Sequence, residues 1–119
     1  IRVLGKNPDI HSAEKLGRLI AQLQSLRQMS ISVAGMLSAG REPVLEASIV
    51  TDVGTNCEQE LPNDARDIWS FVEPNEDLTN ANSFEELVQD AVIMSPKYTI
   101  QGGTREILRG IIARGLGVR

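Results

Sequence analysis

The stretch from residue 9 to residue 40 carries one long apolar stripe. Leu16, Leu19, Ile20, Leu23, Leu26, Ser30, Val33 and Leu37 recur at the three- and four-residue spacing of one helix face. Arg18, Gln22, Gln24, Arg27 and Gln28 fall mainly beside or opposite that stripe. Asp9 or Ser12 can cap the start, and Gly40 supplies a C-terminal stop. At about 1.5 Å per residue such a helix is roughly 40 Å long. A helix of that length belongs in an extended bundle and not beneath a sheet.

The rest of the chain reads as further helices. Pro43 and Glu46 suit the first turn of a second one, in which Val44, Ala47, Val50 and Val53 or Gly54 continue an apolar stripe. The small residues Ala47, Ser48 and Gly54 allow a neighbouring helix to approach closely. Pro62 lacks an amide donor and clashes with the preceding turn, so it is expected to break or kink this helix. "NDARDIWSF" then resumes it, with Ile68, Trp69 and Phe71 toward the core. "VEPNEDLTNANS", residues 72–83, reads as a loop. Ser83 and Glu86 form a capping box for a third helix whose face is Phe84, Leu87, Val88, Ala91 and Met94. "SPKYTI" interrupts, with "KYTIQ" as a lone candidate strand. A last helix is expected from about Thr104 to Arg114, with Ile107, Leu108, Ile111 and Ile112 as its stripe and Gly115 and Gly117 ending it. The expectation is an all-α, four-helix up-and-down bundle.

Composition excludes several functions. Aromatic residues are 3% of the chain, so the core must come from Leu, Ile, Val, Ala and Met. The formal charge of −4 argues against nucleic acid or an anionic membrane surface as a partner. One cysteine, Cys57, precludes an internal disulfide and a multi-cysteine zinc site, and one histidine, His11, leaves no histidine-based metal cluster. No apolar run reaches the ~20 residues of a membrane span. No leader is visible, and the expected location is cytoplasmic. The chain opens on Ile1, inside what already reads as structure, and is expected to be a piece of a longer polypeptide.

Chemistry concentrates in "YTIQGGTREIL". Gly102 and Gly103 allow positive φ, Thr104 offers a hydroxyl at the helix start, and the free N–H groups of a first turn form an anion site. A phosphate or a flavin edge fits such a place, and so does an ordinary Gly-Gly-Thr cap. The residues alone leave both readings open. Glu42 with Glu46, and Glu58 with Glu60, read as solvated helix faces and not as acid–base pairs. Nothing resembles a nucleophile–base pair, a P-loop or a dinucleotide fingerprint.

The closing stretch resembles the C-terminal end of acyl-CoA dehydrogenases. The matching residues are Tyr98, then Gly103, Thr104, Glu106, Ile107, Arg109, Ile112, Ala113 and Arg114 in a Gly-Thr-x-Glu-Ile-x-Arg-x-x-Ile-Ala-Arg run. "AGREPVLEASIV" with "DVGTNCEQE" is similar to the family's second bundle helix, and "RVLGKNPDI" to the link into the first. The resemblance implies a C-terminal four-helix bundle domain over 1–119, with the family's N-terminal helical and middle β domains outside this chain. It further implies FAD as cofactor, acyl-CoA as substrate, a 2-enoyl-CoA product, and assembly into a homo- or hetero-oligomer, dimeric or tetrameric, through the bundle. Carried over by position, Gly103, Thr104 and Glu106 approach the FAD. No catalytic residue carries over: many members place their glutamate base where Gly102 stands, and others carry it on an upstream helix missing here. The family's Gln-x-x-Gly-Gly turn has no counterpart in "DARDIWSFVEPNED". Two alternatives stand beside this reading: a non-catalytic, FAD-shaping subunit of a heteromeric enzyme, and an unrelated helical interaction module.

Overall fold

The computed structural model describes residues 7–71, 81–100 and 102–118, with the backbone alone described at 81–83. Its elements are α1 (Ile10–Ser38), α2 (Val44–Trp69), α3 (Ala81–Met94), a 3₁₀ segment (Ser95–Ile100) and α4 (Arg105–Gly115). The all-α, four-helix architecture is as the periodicities predict, and no strand occurs among the described residues. "KYTIQ" is not a strand: residues 97–100 lie in the 3₁₀ segment.

α1 starts where an acceptor meets its free amides. Asp9 Oδ1 accepts from the N–H of His11 and of Ser12, at 3.0 Å each. At the other end Gly40 takes φ 71, and the chain turns into α2 within five residues. So short a link makes α1 and α2 antiparallel neighbours. Lys15 near the start of α1 accordingly meets Asp64 and Asp67 near the end of α2. α3 begins beside that same end, where the Phe84 and Trp69 rings lie 5.3 Å apart. α4 lies along the first half of α2, its last residue Gly115 against Leu45 and its first turn at Asp52. α1, α2 and α3 thus alternate up, down and up. The 3₁₀ segment does not reverse the chain, so α4 continues in the direction of α3. α2 is the spine, packed by α1, α3, α4 and the 3₁₀ segment.

Pro62 does not break α2, which runs unbroken from Val44 to Trp69. The proline is buried, and the neighbouring carbonyl of Gln59 accepts from the Asn63 side chain at 3.4 Å. Packing on several sides holds the backbone helical despite the missing donor. Ser83 does not cap α3, because the helix begins at Ala81 and Ser83 lies inside its first turn. Residues 72–80 of the expected loop, and residues 1–6 of the link before α1, lie outside the described residues.

The stripe on α1 also differs from expectation. The side turned to α2 is Ser12, Leu16, Leu19, Gln22, Leu26, Met29, Val33 and Met36, whereas Ile20, Leu23 and Leu37 are exposed, as is Ser30. One neighbour covers only a narrow seam, and the second half of the broad apolar face is left open. Phe71, Leu87, Met94 and Ile107, all expected in the core, are exposed for the same reason; Phe71 instead sits 4.9 Å from the His11 ring. Besides two prolines, the apolar residues buried among the described ones are Leu19, Cys57, Ile68, Val88 and Leu108. Burial of each large aliphatic one contributes roughly 1.5–3 kcal/mol. The molecule measures 55 × 26 × 23 Å, with a radius of gyration of 17.8 Å. A compact chain of this length has about 13.5 Å.

Candidate functional site

The site is built where the 3₁₀ segment hands over to α4. Gly102 and Gly103 have φ 77 and 118, a region that side-chain-bearing residues rarely enter. The pair turns the backbone sharply enough to set Thr104 as the N-cap of α4, with extended φ −68 and ψ 155. A Cβ built on Gly102 would meet only Thr51 Cγ2, at 3.8 Å, and one on Gly103 only Leu108, at 3.9 Å. The turn therefore rests on α2 and on the buried Leu108 beneath it. No other described side chain crowds the two glycines.

Thr104 makes no side-chain hydrogen bond to the helix backbone. The first N–H of the turn with a helical partner is that of Leu108, donating to the Thr104 carbonyl at 3.0 Å. Those of Arg105, Glu106 and Ile107 have no carbonyl partner inside the helix, as at any α-helix start. The Glu106 carboxyl is exposed and is held below the usual carboxylate range, first by its own backbone N–H and next by the Thr104 hydroxyl. It is therefore an anion at neutral pH, presenting acceptor oxygens beside the open turn.

The three residues singled out by sequence, Gly103, Thr104 and Glu106, fall on this one turn. Gly102 stands next to them with no group capable of taking a proton. Two features escaped the sequence reading: Thr51 as the seat of the turn, and Asp52. Asp52 Oδ1 lies 3.4 Å from Arg105 Nε, and its Oδ2 lies 3.4 Å from Arg109 Nε. Two arginines four residues apart announce a basic helix face, but which acid meets it depends on how α4 slides along α2. The other conspicuous polar residues lie elsewhere. Glu42, Glu46, Glu58 and Glu60 are exposed, as expected of solvated faces. Cys57 is buried in α2, and burial, with Glu60, Glu58 and Asp64 nearby, pushes its thiol up and away from thiolate character. Among the described residues no group of three metal-ligating side chains converges, and no helix is long and apolar enough to cross a membrane.

Comparison with known families finds one match over nearly all of the chain. The model described as acyl-CoA dehydrogenase, C-terminal domain, matches residues 2–117. No curated protein and no solved structure matches.

Proposed function

We propose a function from one premise: the chain belongs to the acyl-CoA dehydrogenase family, as its C-terminal domain. On that premise, it is the helical-bundle part of an FAD-dependent enzyme that desaturates an acyl-CoA between its α and β carbons. The observation that carries the flavin assignment is the open glycine turn ahead of α4. The residues there fit such a group: two glycines without side chains, first-turn amides without helical partners, a hydroxyl and an ionised carboxylate converge on a surface that no other described side chain obstructs. Gly103 would admit the cofactor to the backbone, Thr104 would donate or accept through its hydroxyl, and Glu106 would accept from an N–H or hydroxyl. Bound there, the flavin supplies the acceptor for the hydrogen leaving the β carbon. This chain's turn orients and holds, and the base for the α proton comes from elsewhere in the complete protein. At φ 77 a glutamate at position 102 would be strained.

The excess apolar surface supports assembly. Ile20, Leu23, Ile31 and Leu37 leave α1 open along its length, and a hollow of about 190 Å³ lies between α1 and α2, lined by Met29, Val33, Met36, Ile49 and Val50. Surface of this kind is covered by other domains or subunits. The remaining domains of the enzyme and an oligomeric partner are the occupants in this reading. Gly102 favours one further reading, a subunit that shapes the FAD site and leaves proton abstraction to its partner.

The experiment is purification of the complete protein, alone and with any co-encoded partner, followed by its visible spectrum and anaerobic titration with acyl-CoA thioesters. Flavin absorbance that bleaches with substrate is expected. A protein without flavin under both conditions sinks the reading. Flavin without bleaching by the protein alone, restored by the partner, selects the shaping-subunit version. Thr104→Val is expected to weaken flavin binding about tenfold, the worth of one hydrogen bond.

A further inference from the structure

α4 has 11 residues, fewer than an isolated helix needs to persist in water. Its one buried residue is Leu108, and the turn before it consists of two glycines, the softest backbone available. Something else must fix the rotation and height of its first turn. Asp52, on the spine helix, reaches both arginines of α4: Arg105 through one oxygen, as a charge contact without a hydrogen bond, and Arg109, one turn later, through the other, which accepts from its Nε. The carboxylate side chain is only 15% exposed, so water screens it less than it would an ordinary surface pair. Arg105 is 27% exposed and Arg109 58%. A rotation of α4, or a slide by one residue, breaks at least one leg. The neighbouring Thr51 is the side chain that a Cβ on Gly102 would meet, at 3.8 Å. Two consecutive residues of α2 thus lie beside the turn, Thr51 next to Gly102 and Asp52 joined to α4 by charge.

We propose that Asp52 is the positioning residue of the cofactor turn: its two-legged ion pair with Arg105 and Arg109 holds Thr104 and Glu106 where they meet the flavin. This rests on the flavin reading above. Asp52 touches neither cofactor nor substrate in it; its effect passes through α4. The work of ordering the turn is done before the flavin arrives, and the cofactor binds more tightly for it.

The test uses the complete protein with Asp52→Asn, Asp52→Glu and Arg109→Gln. The last removes one leg at an exposed site that folding tolerates. Two measurements separate the levels of the proposal. Amide exchange of residues 108–111, the first N–H groups of α4 with helical partners, reads the clamp itself in the cofactor-free protein. Flavin affinity, together with the gap in melting temperature between flavin-bound and flavin-free forms, reads its consequence. Asp52→Asn is expected to speed exchange over 108–111 and to weaken flavin binding by about tenfold, shrinking the gap. Asp52→Glu is expected to restore part of both, and Arg109→Gln to show a smaller loss than Asp52→Asn. Unchanged exchange in Asp52→Asn overturns the clamp while leaving the flavin reading intact. Equal drops in both melting temperatures with the gap preserved show a merely structural pair and overturn the proposal. A wild type that binds no flavin overturns both it and the reading beneath it.

Discussion

α1 and α2 are similar in length, 29 and 26 residues, and lie antiparallel against each other, yet they are buried very differently. α1 is the more apolar of the two and has Ser12 and Leu19 as its buried residues. α2 is more polar, contains a proline, and buries Ser48, Thr55, Cys57, Pro62 and Ile68. The difference lies in their neighbours. α1 packs on α2, whereas α2 is packed by every other element. Burial follows the number of neighbours a helix is given, and apolar content alone does not secure it. The apolar side of α1 is then left open, and α2 is the rail on which the glycine turn ahead of α4 is mounted.

The sharpest way to break this comparison is to truncate one apolar side chain on each helix. Ile68→Ala on α2, at a buried site, is expected to cost about 2–5 kcal/mol in urea unfolding. Leu23→Ala on α1, 47% exposed, is expected to cost under about 1 kcal/mol in the chain by itself. Equal losses would mean that α1 is covered as fully as α2. A much larger loss for Leu23→Ala in the assembled protein than in the lone chain would instead identify its face as an interface.

Pro62→Ala probes how firmly the spine is held. Alanine is about 3 kcal/mol more favourable than proline inside a helix, and the lost ring methylenes give back about 0.8 kcal/mol each. A net gain of about 1 kcal/mol is expected from these opposing terms. A loss would show that the ring's packing outweighs the missing hydrogen bond. Gly54→Ala tests the seam between the two helices. The added Cβ meets Leu26 at 3.7 Å, an ordinary contact, so the gain in helix propensity of about 0.5–1 kcal/mol should survive. A destabilised variant would mean that the helices approach more closely there.

The smallest effect is expected at the exposed pair joining the start of α1 to the end of α2. The hydrogen bond from Lys15 and its charge hold the Asp67 carboxyl below its usual range. Its contribution is therefore present above the unfolded value of about 3.9 and is lost as the pH falls through the lowered folded value. The Lys15 ammonium is raised above its usual value, mainly by its hydrogen bond to Asp67, with Asp64 adding to it. That contribution is full below about pH 10.4 and is lost as the pH rises through the raised folded value. Lys15→Met should flatten both flanks of a stability–pH curve, and ~1 M salt should erase the difference from wild type. A salt-independent difference would show packing by the lysine stem and not its charge.

Much of the fold was legible. The extents of α1 and α4 follow from Asp9, Gly40, Thr104 and the terminal glycines, because caps and positive φ are local physics. Which α1 residues are covered was not legible, since Leu16, Leu19, Ile20 and Leu23 fit a helical stripe equally well. The order Leu16, Leu19, Gln22, Leu26 emerged only when a single neighbour chose the seam. At the site, Gly103, Thr104 and Glu106 share one short segment and were found together. Asp52 sits more than fifty residues from its two arginines, and nothing local links them.

The sequence by itself determined that this chain is helical, where most of its helices start and stop, and that a glycine pair opens the backbone ahead of the last one. Those properties depend on residues within one turn of each other. Only the tertiary structure decided that Pro62 stays helical, that α4 follows α3 in direction, and that Asp52 meets Arg105 and Arg109 beside the glycine turn. These depend on which surfaces meet, and packing energy shared among several helices overrides what any one segment prefers locally.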